Sequence, residues 1–293
     1  MGNLLFFPII QKIWGIAVSE HRVRMPPQEF AKEAIKIVEA AQGKNIYLRI
    51  MGALGVYIGI MNNEKCLDLY KTIGRFSENE FSFTDLDLVA YGKQRNAIEK
   101  FFKELSFKPD DYVNAMFSDR RLIFYHPNQL YSVDIFFSPL EFSHIIDLGK
   151  DPEKGRLKLS FPTLPLSDMV LLKLQIHDIN RKDLADLAVI FSCYPISEQE
   201  EHGKINVNRI VEVLSDDWGF WYDATNNLKL LKNFLGEFLE KGHAQNYHEK
   251  IKETIKTIEE LEHKIESSQK TKNWLKRAKI GTSKRWYNVV EEI

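Results

Sequence analysis

The nine residues Phe83 to Tyr91, FTDLDLVAY, constrain the fold more than any other segment of this chain. Leu86, Leu88 and Ala90 alternate with Asp85, Asp87 and Val89, and a period of two predicts a β-strand with the second set on one face. Phe83, Leu86, Leu88 and the trailing VAY predict that this strand is largely buried. Its two carboxylates then lie about 7 Å apart on the same face. Carboxylates so placed are costly unless a metal ion or another cation compensates them.

The neighbouring segments supply a sheet and its covering helices. Pro26-Pro27 ends an irregular lead-in, and Gln28 to Ala41 places Phe30, Ala34, Ile35, Ile37, Val38 and Ala41 at helical spacing before Gly43. The run Ile46 to Met61 begins as a short apolar strand, turns at Gly52 and continues as a helix of small and apolar residues. Asn62 to Ser82 is polar and aperiodic, which predicts a long loop with one helical turn around Cys66 to Ile73. A helix is expected over Gln94 to Leu105, followed by a hairpin in which RLIFYH and LYSVDIFF flank the turn signal Pro127-Asn128.

Beyond the turn-rich FPTLPLSD (Phe161 to Asp168) no strand is expected. Helices are predicted at Asp168 to Asp178, Lys182 to Phe191, Val207 to Leu214, Leu228 to Leu239 and, as one long helix, Gln245 to Lys270. Ser167 or Asp168 is placed to cap the first of them. In the last, Tyr247, Ile251, Ile255, Ile258, Leu261 and Ile265 form a narrow stripe suited to packing on a neighbouring helix such as Leu228 to Leu239, or to a dimer seam. The expected class is α+β, an α/β unit with a small mixed sheet over residues 1–160 followed by an all-helical unit over residues 161–293.

Asp134, in SVDIFF, is a third acid among core-type residues on a separate strand. Three carboxylates on adjacent apolar strands suit divalent metal, Mg²⁺ or Mn²⁺, which can neutralise a triphosphate and align its α-phosphate for in-line attack. In this order, Gly52-Ala53, Asp85-Leu86-Asp87 and Asp134 resemble the motif of the nucleotidyltransferase superfamily related to DNA polymerase beta. The segment Leu166 to Leu187, with Lys173 followed by Arg181-Lys182-Asp183-x-x-Asp186-Leu187, is similar to the AbiEii-type group of toxin and antitoxin nucleotidyltransferases.

The resemblance implies transfer of a nucleoside monophosphate from NTP to an acceptor hydroxyl, on a tRNA or other RNA end or on a protein, with a toxin or antitoxin partner. Asp85, Asp87 and Asp134 would be the catalytic and metal-binding residues, and Gly52, Ala53 and Lys173 would contact the nucleotide. Ala53 stands where the motif has a second Gly or a Ser, and FSFTD lacks the basic residue found before the first acid, a gap that Arg75 could fill from the loop. These departures favour the alternative of a catalytically degenerate, antitoxin-like binding module. Asp183 and Asp186 could orient Arg181 and Lys173, or belong to a solvated helix face; Lys173 itself could be a surface lysine.

A formal net charge of -1 gives no whole-molecule argument for nucleic acid or membrane. The exception is local, because Lys264 to Tyr287 sets Lys264, Lys270, Lys272, Lys276, Arg277, Lys279, Lys284 and Arg285 against Glu266 alone and interleaves Trp274, Trp286 and Tyr287. Such a mixture suits an RNA surface or a docked aromatic helix with solvated lysines. Cys66 and Cys193 are far apart in sequence without metal-ligand spacing, so neither a disulfide framework nor a zinc site is expected, and a reducing, cytoplasmic setting fits. The apolar start MGNLLFFPII is too short and wrongly flanked for a signal peptide or membrane span and is expected to dock on the core. The eight histidines are scattered, and no P-loop, GxGxxG, GxSxG or HExxH occurs.

Overall fold

A computed structural model describes residues 25–75, 83–117, 119–240 and 245–290. The apolar N-terminal run and residues 76–82, the last third of the polar stretch before Phe83, lie outside the described residues. Pro27 opens α1 (Pro27–Gln42), and the predicted stripe of Phe30, Ala34, Ile37, Val38 and Ala41 is buried. The chain then forms β1 (Arg49–Ile50), α2 (Gly52–Ile60) and α3 (Glu64–Thr72). α3 exceeds the single turn expected from an aperiodic sequence, because Asn63 caps it by accepting from the Cys66 amide at 3.2 Å and Cys66, Leu69 and Tyr70 give it one buried side.

The acidic strand is β2 (Asp85–Tyr91), followed by α4 (Arg95–Glu104), β3 (Lys108–Pro109), α5 (Asp111–Met116), β4 (Arg121–Tyr125) and β5 (Ser132–Ser138). Strands β1 to β5 form one mixed sheet in the order β1-β2-β5-β4-β3. β4 and β5 are the expected antiparallel hairpin, whereas β2 and β5 run parallel. Leu86, Leu88, Leu122, Phe124, Val133 and Ile135 share one core with Phe30, Ala34 and Val38 of α1 and Ile98 and Phe102 of α4. Alternation sends the acids to the opposite face, where Val89 and Tyr91 enter a second core shared with later helices.

Two short strands, β6 (Leu140–Glu141) and β7 (Ile145–Ile146), lead into α6 (Leu166–Leu174) and α7 (Arg181–Cys193). Neither Ser167 nor Asp168 caps α6, contrary to expectation: Pro165 holds the cap position and both side chains are buried. Asp168 lies between Arg156 at 2.6 Å and Arg209 at 3.3 Å, and two guanidiniums offer a buried carboxylate more than a helix-end amide can. A second departure is the pair of two-residue strands β8 (Ile196–Ser197) and β9 (Ile205–Asn206), which run parallel and are too short for a periodicity to register.

α8 (Val207–Asp216), α9 (Trp218–Glu240), α10 (His248–Ser267) and α11 (Lys272–Ala278) complete the described chain. The α10 stripe packs within the molecule, with Ile251, Ile258, Leu261 and Ile265 fully buried against α7, α8 and α9. Cys66 on α3 and Cys193 at the end of α7 are bonded as a disulfide, their Cα atoms 6.0 Å apart, which overturns the expectation of two separate thiols. A sequence separation of 127 concealed a contact made by packing α3 on α7. The argument for a reducing setting, which rested on separate cysteines, falls with it.

Candidate active site

Asp85 and Asp87 stand at the start of β2, and the parallel register sets Asp87 beside Asp134 of β5 and Asp85 beside Ser132. The three acids predicted from sequence are therefore neighbours on one face, each in a different electrostatic state. Asp85 is exposed, and its oxygens accept from Ser132 Oγ at 2.6 Å and Thr84 Oγ1 at 2.7 Å. Asp134 is held by a two-pronged ion pair, with Arg121 Nε 3.0 Å from Oδ1 and Nη2 2.9 Å from Oδ2. No such partner serves Asp87, whose carboxylate accepts no hydrogen bond among the described residues. Burial, then the nearby charges of Asp134 and Asp85, push its pKa up to about 7, while Lys173 and Arg121 act in the opposite direction.

Gly52 explains how α2 approaches this acid. Its φ is +66°, and a Cβ there would lie 2.6 Å from Asp87 Oδ2. A glycine satisfies both demands at once, positive φ and the absence of a side chain. The Met51 amide donates to the Asp87 carbonyl at 3.0 Å, fixing the strand against the helix start. Ala53 follows in the first turn of α2, a turn that no side chain caps. Uncapped amides and the helix dipole thus point positive charge towards the space around Asp87.

Lys173 on α6 is not a surface lysine: its side chain is 12% exposed, with Nζ 2.6 Å from Asp183 and 2.8 Å from Asp186. The two carboxylates outweigh the desolvation that opposes protonation and push its pKa up to about 12. Asp186 is fully buried and also receives Arg75 Nε at 2.9 Å and the Tyr70 hydroxyl. The pair of acids on α7 therefore orients Lys173 and Arg75, and a solvated face is ruled out. Arg181, by contrast, turns away to Glu237 at 4.0 Å and to the ring of Phe234. Arg75 comes to the site region as the loop reading allowed, though through Asp186 on α7 and with no bond to the carboxylates of β2.

Comparison with protein-family models, with curated proteins and with solved structures finds no match to this chain. Among the described residues, no group of three or more His, Cys, Asp or Glu side chains is arranged to enclose a metal ion. That arrangement is not required for Mg²⁺, which is commonly held by one or two carboxylates together with substrate phosphates. Asp85 and Asp87 fit that donor set, because Asp87 is a half-buried carboxylate without an ion pair among the described residues. Asp134 fits only when Arg121 lets it go.

Arg121 was absent from the sequence reading. The signal was nonetheless available, since the hairpin turn fixes Ile123 opposite Asp134 and thus puts Arg121 at the diagonal position. The histidines are also less scattered in space than in sequence: His144 Nε2 and His177 Nδ1 lie 2.8 and 3.0 Å from the same oxygen of buried Asp223. Asp223 further accepts from the Trp286 indole at 2.9 Å, Tyr287 stacks on His177 with centroids 3.5 Å apart, and Trp274 meets Trp221 edge-on. These contacts dock the aromatic residues of the C-terminal segment on α9, while its lysines Lys272, Lys276 and Lys279 stay exposed.

Proposed function

We propose that the chain is a metal-dependent nucleotidyltransferase: a catalytic α/β unit over residues 1–160 and a helical unit over residues 161–293. The observation that supports this best is Asp87, a half-buried carboxylate lacking a hydrogen-bond partner among the described residues, flanked by two further acids and facing the uncapped start of α2. Such a group is costly in isolation and is relieved by a cation, while the helix start favours an anion. Asp85 and Asp87 would hold Mg²⁺ or Mn²⁺ together with the triphosphate. When bound, the metal supplies charge neutralisation at the phosphates.

The residues of the chain divide the remaining work. Gly52 and Ala53 offer backbone amides to the phosphates, and Gly52 keeps the approach free of a side chain. Lys173, fixed by Asp183 and Asp186, directs positive charge to the same space. The acceptor hydroxyl oxygen forms a bond to the α-phosphorus, the bond from that phosphorus to the bridging oxygen breaks, and pyrophosphate leaves. Asp134 positions the attacking hydroxyl and receives its proton after Arg121 releases it. Nucleoside triphosphate as the donor places the protein in the cytoplasm, with an RNA end such as that of tRNA, or a protein, as acceptor and a toxin or antitoxin as partner. No helix among the described residues is long and apolar enough to cross a membrane.

The Arg121–Asp134 pair and the doubly paired Lys173 favour a second reading, a degenerate module that binds nucleotide or a partner without transfer. Labelled NTP, Mg²⁺ and total tRNA or lysate separate the two. Label transfer that is lost in Asp85→Asn/Asp87→Asn supports the enzyme; metal-dependent nucleotide binding without transfer supports the module. Neither binding nor transfer refutes both.

A further inference from the structure

Beside the Arg121–Asp134 pair lies a cavity of about 310 Å³. Arg121 lines it, as do the rings of Phe136 and Phe142, which meet with centroids 5.3 Å apart. The Arg121 guanidinium stands 5.1 Å from the Phe136 centroid, so one charged plane and two aromatic rings border the same space. Arg120 and Glu141 also line it, 3.2 Å from one another, and Val290 forms a further part of its wall. That wall is fastened, because Asn288 donates to the Phe142 carbonyl at 3.1 Å and its amide to the Ser143 carbonyl at 2.9 Å.

Position and size together restrict the occupant. Phe136 follows Asp134 by two residues on the same face of β5, about 7 Å along the strand, and Asp134 is in register with Asp87. The cavity thus begins where a ribose would end if the phosphates lay over Asp87 and Gly52. At the small end of the usual range for ligand sites, about 300–1,000 Å³, it suits one nucleoside and excludes a folded RNA or a protein surface. Aromatic rings and a guanidinium are the surfaces on which a planar base stacks, and Glu141 and Arg120 supply an acceptor and donors at its edge.

We infer that this cavity receives the base of the nucleoside triphosphate, with Phe142 and Phe136 as its stacking surface and Arg121 as the hinge between base and carboxylates. The inference rests on the proposed nucleotide chemistry of Asp85 and Asp87. It also gives Arg121 a reason to leave Asp134: the incoming nucleotide presents a new plane and new acceptors to the guanidinium as the third carboxylate is needed.

Calorimetric titration of the full chain with Mg²⁺ and either inorganic tripolyphosphate or each of ATP, GTP, CTP and UTP tests this. In the wild type, at least one nucleoside triphosphate binds more tightly than tripolyphosphate. Phe142→Ala weakens that nucleotide about tenfold to a hundredfold and leaves tripolyphosphate unchanged. Because Phe142 is half-buried, Val290→Trp serves as the second variant: Val290 is 52% exposed, so the indole fills the cavity without burdening the core, and it produces the same selective loss. If both variants, folded by melting temperature, bind nucleotide and tripolyphosphate as the wild type does, the cavity assignment is overturned while the carboxylate site stands. If the wild type binds neither probe, the nucleotidyltransferase reading fails and takes the cavity with it.

Discussion

Replacing Asp87 by Asn tests the physical basis of the site without any knowledge of substrate. A carboxyl whose pKa rises from the ordinary 3.8 to about 7 on folding binds its proton more tightly in the native state. Between those two values the native state carries the extra proton, so the stability of the wild type falls as pH rises through this window and levels off above about 7. The shift corresponds to about 4 kcal/mol, a large share of the roughly 5–15 kcal/mol of a typical domain. Asn keeps the shape and removes the titration. Urea unfolding without metal, from pH 4.5 to 8.5, should therefore show a fall in the wild type that Asp87→Asn lacks, the variant gaining about 2–4 kcal/mol on the wild type across the range. Mg²⁺ with NTP should restore part of the wild-type loss at pH 8 and leave the variant unaffected. Parallel pH profiles for the two proteins would refute the assignment of an uncompensated carboxylate.

Asp134→Asn should retain much of the nucleotide binding yet lose label transfer, since its proposed role is at the acceptor hydroxyl; equal loss of binding would move it into the nucleotide site. Gly52→Ala should destabilise by about 1–3 kcal/mol and weaken the Mg²⁺-NTP melting shift, because the methyl meets Asp87 Oδ2 at 2.6 Å in a backbone of φ +66°; an unchanged melting curve would contradict that geometry. Lys173→Met should cost about 3–5 kcal/mol by stranding Asp183 and buried Asp186, which denaturant titration reads directly. Changing Lys272, Lys276, Arg277 and Lys279 together to Ala should reduce tRNA affinity and its salt slope if the exposed face of α11 touches the acceptor, and an identical salt slope would remove RNA from that surface.

The elements with strong periodicity were legible, and so was the acid constellation. Leu86 and Leu88 against Asp85 and Asp87, and Val133 and Ile135 against Asp134, fix which face each strand buries, and that alone is enough to put the carboxylates on a common face once β2 and β5 are neighbours. What periodicity cannot encode is which strands are neighbours. The parallel pairing that sets Asp87 beside Asp134 closes over a connection containing α4, β3, α5 and β4, and nothing local to either strand announces it. The same holds for Cys66 with Cys193 and for Asp223 with His144 and His177, groups made adjacent by helix packing across long separations.

Buried charge shows where local reading misjudged the chemistry as well as the position. Asp183 and Asp186 in RKDLADL have the look of solvated helix charges, and sequence weighting by composition favours that outcome. Yet Asp186 is fully buried because α3 covers it with Tyr70, and it tolerates burial because Arg75 and Lys173 converge on it. Asp87 has no such convergence, although Lys173 stands close enough to lower its pKa. With Lys173 already committed to Asp183 and Asp186, and Arg121 to Asp134, every cation at hand serves another acid. Two cations beside a half-buried carboxylate, each anchored elsewhere, leave it uncompensated, which is why burial raises its pKa to about 7 and why, under the proposed chemistry, a divalent ion would relieve it above that pH.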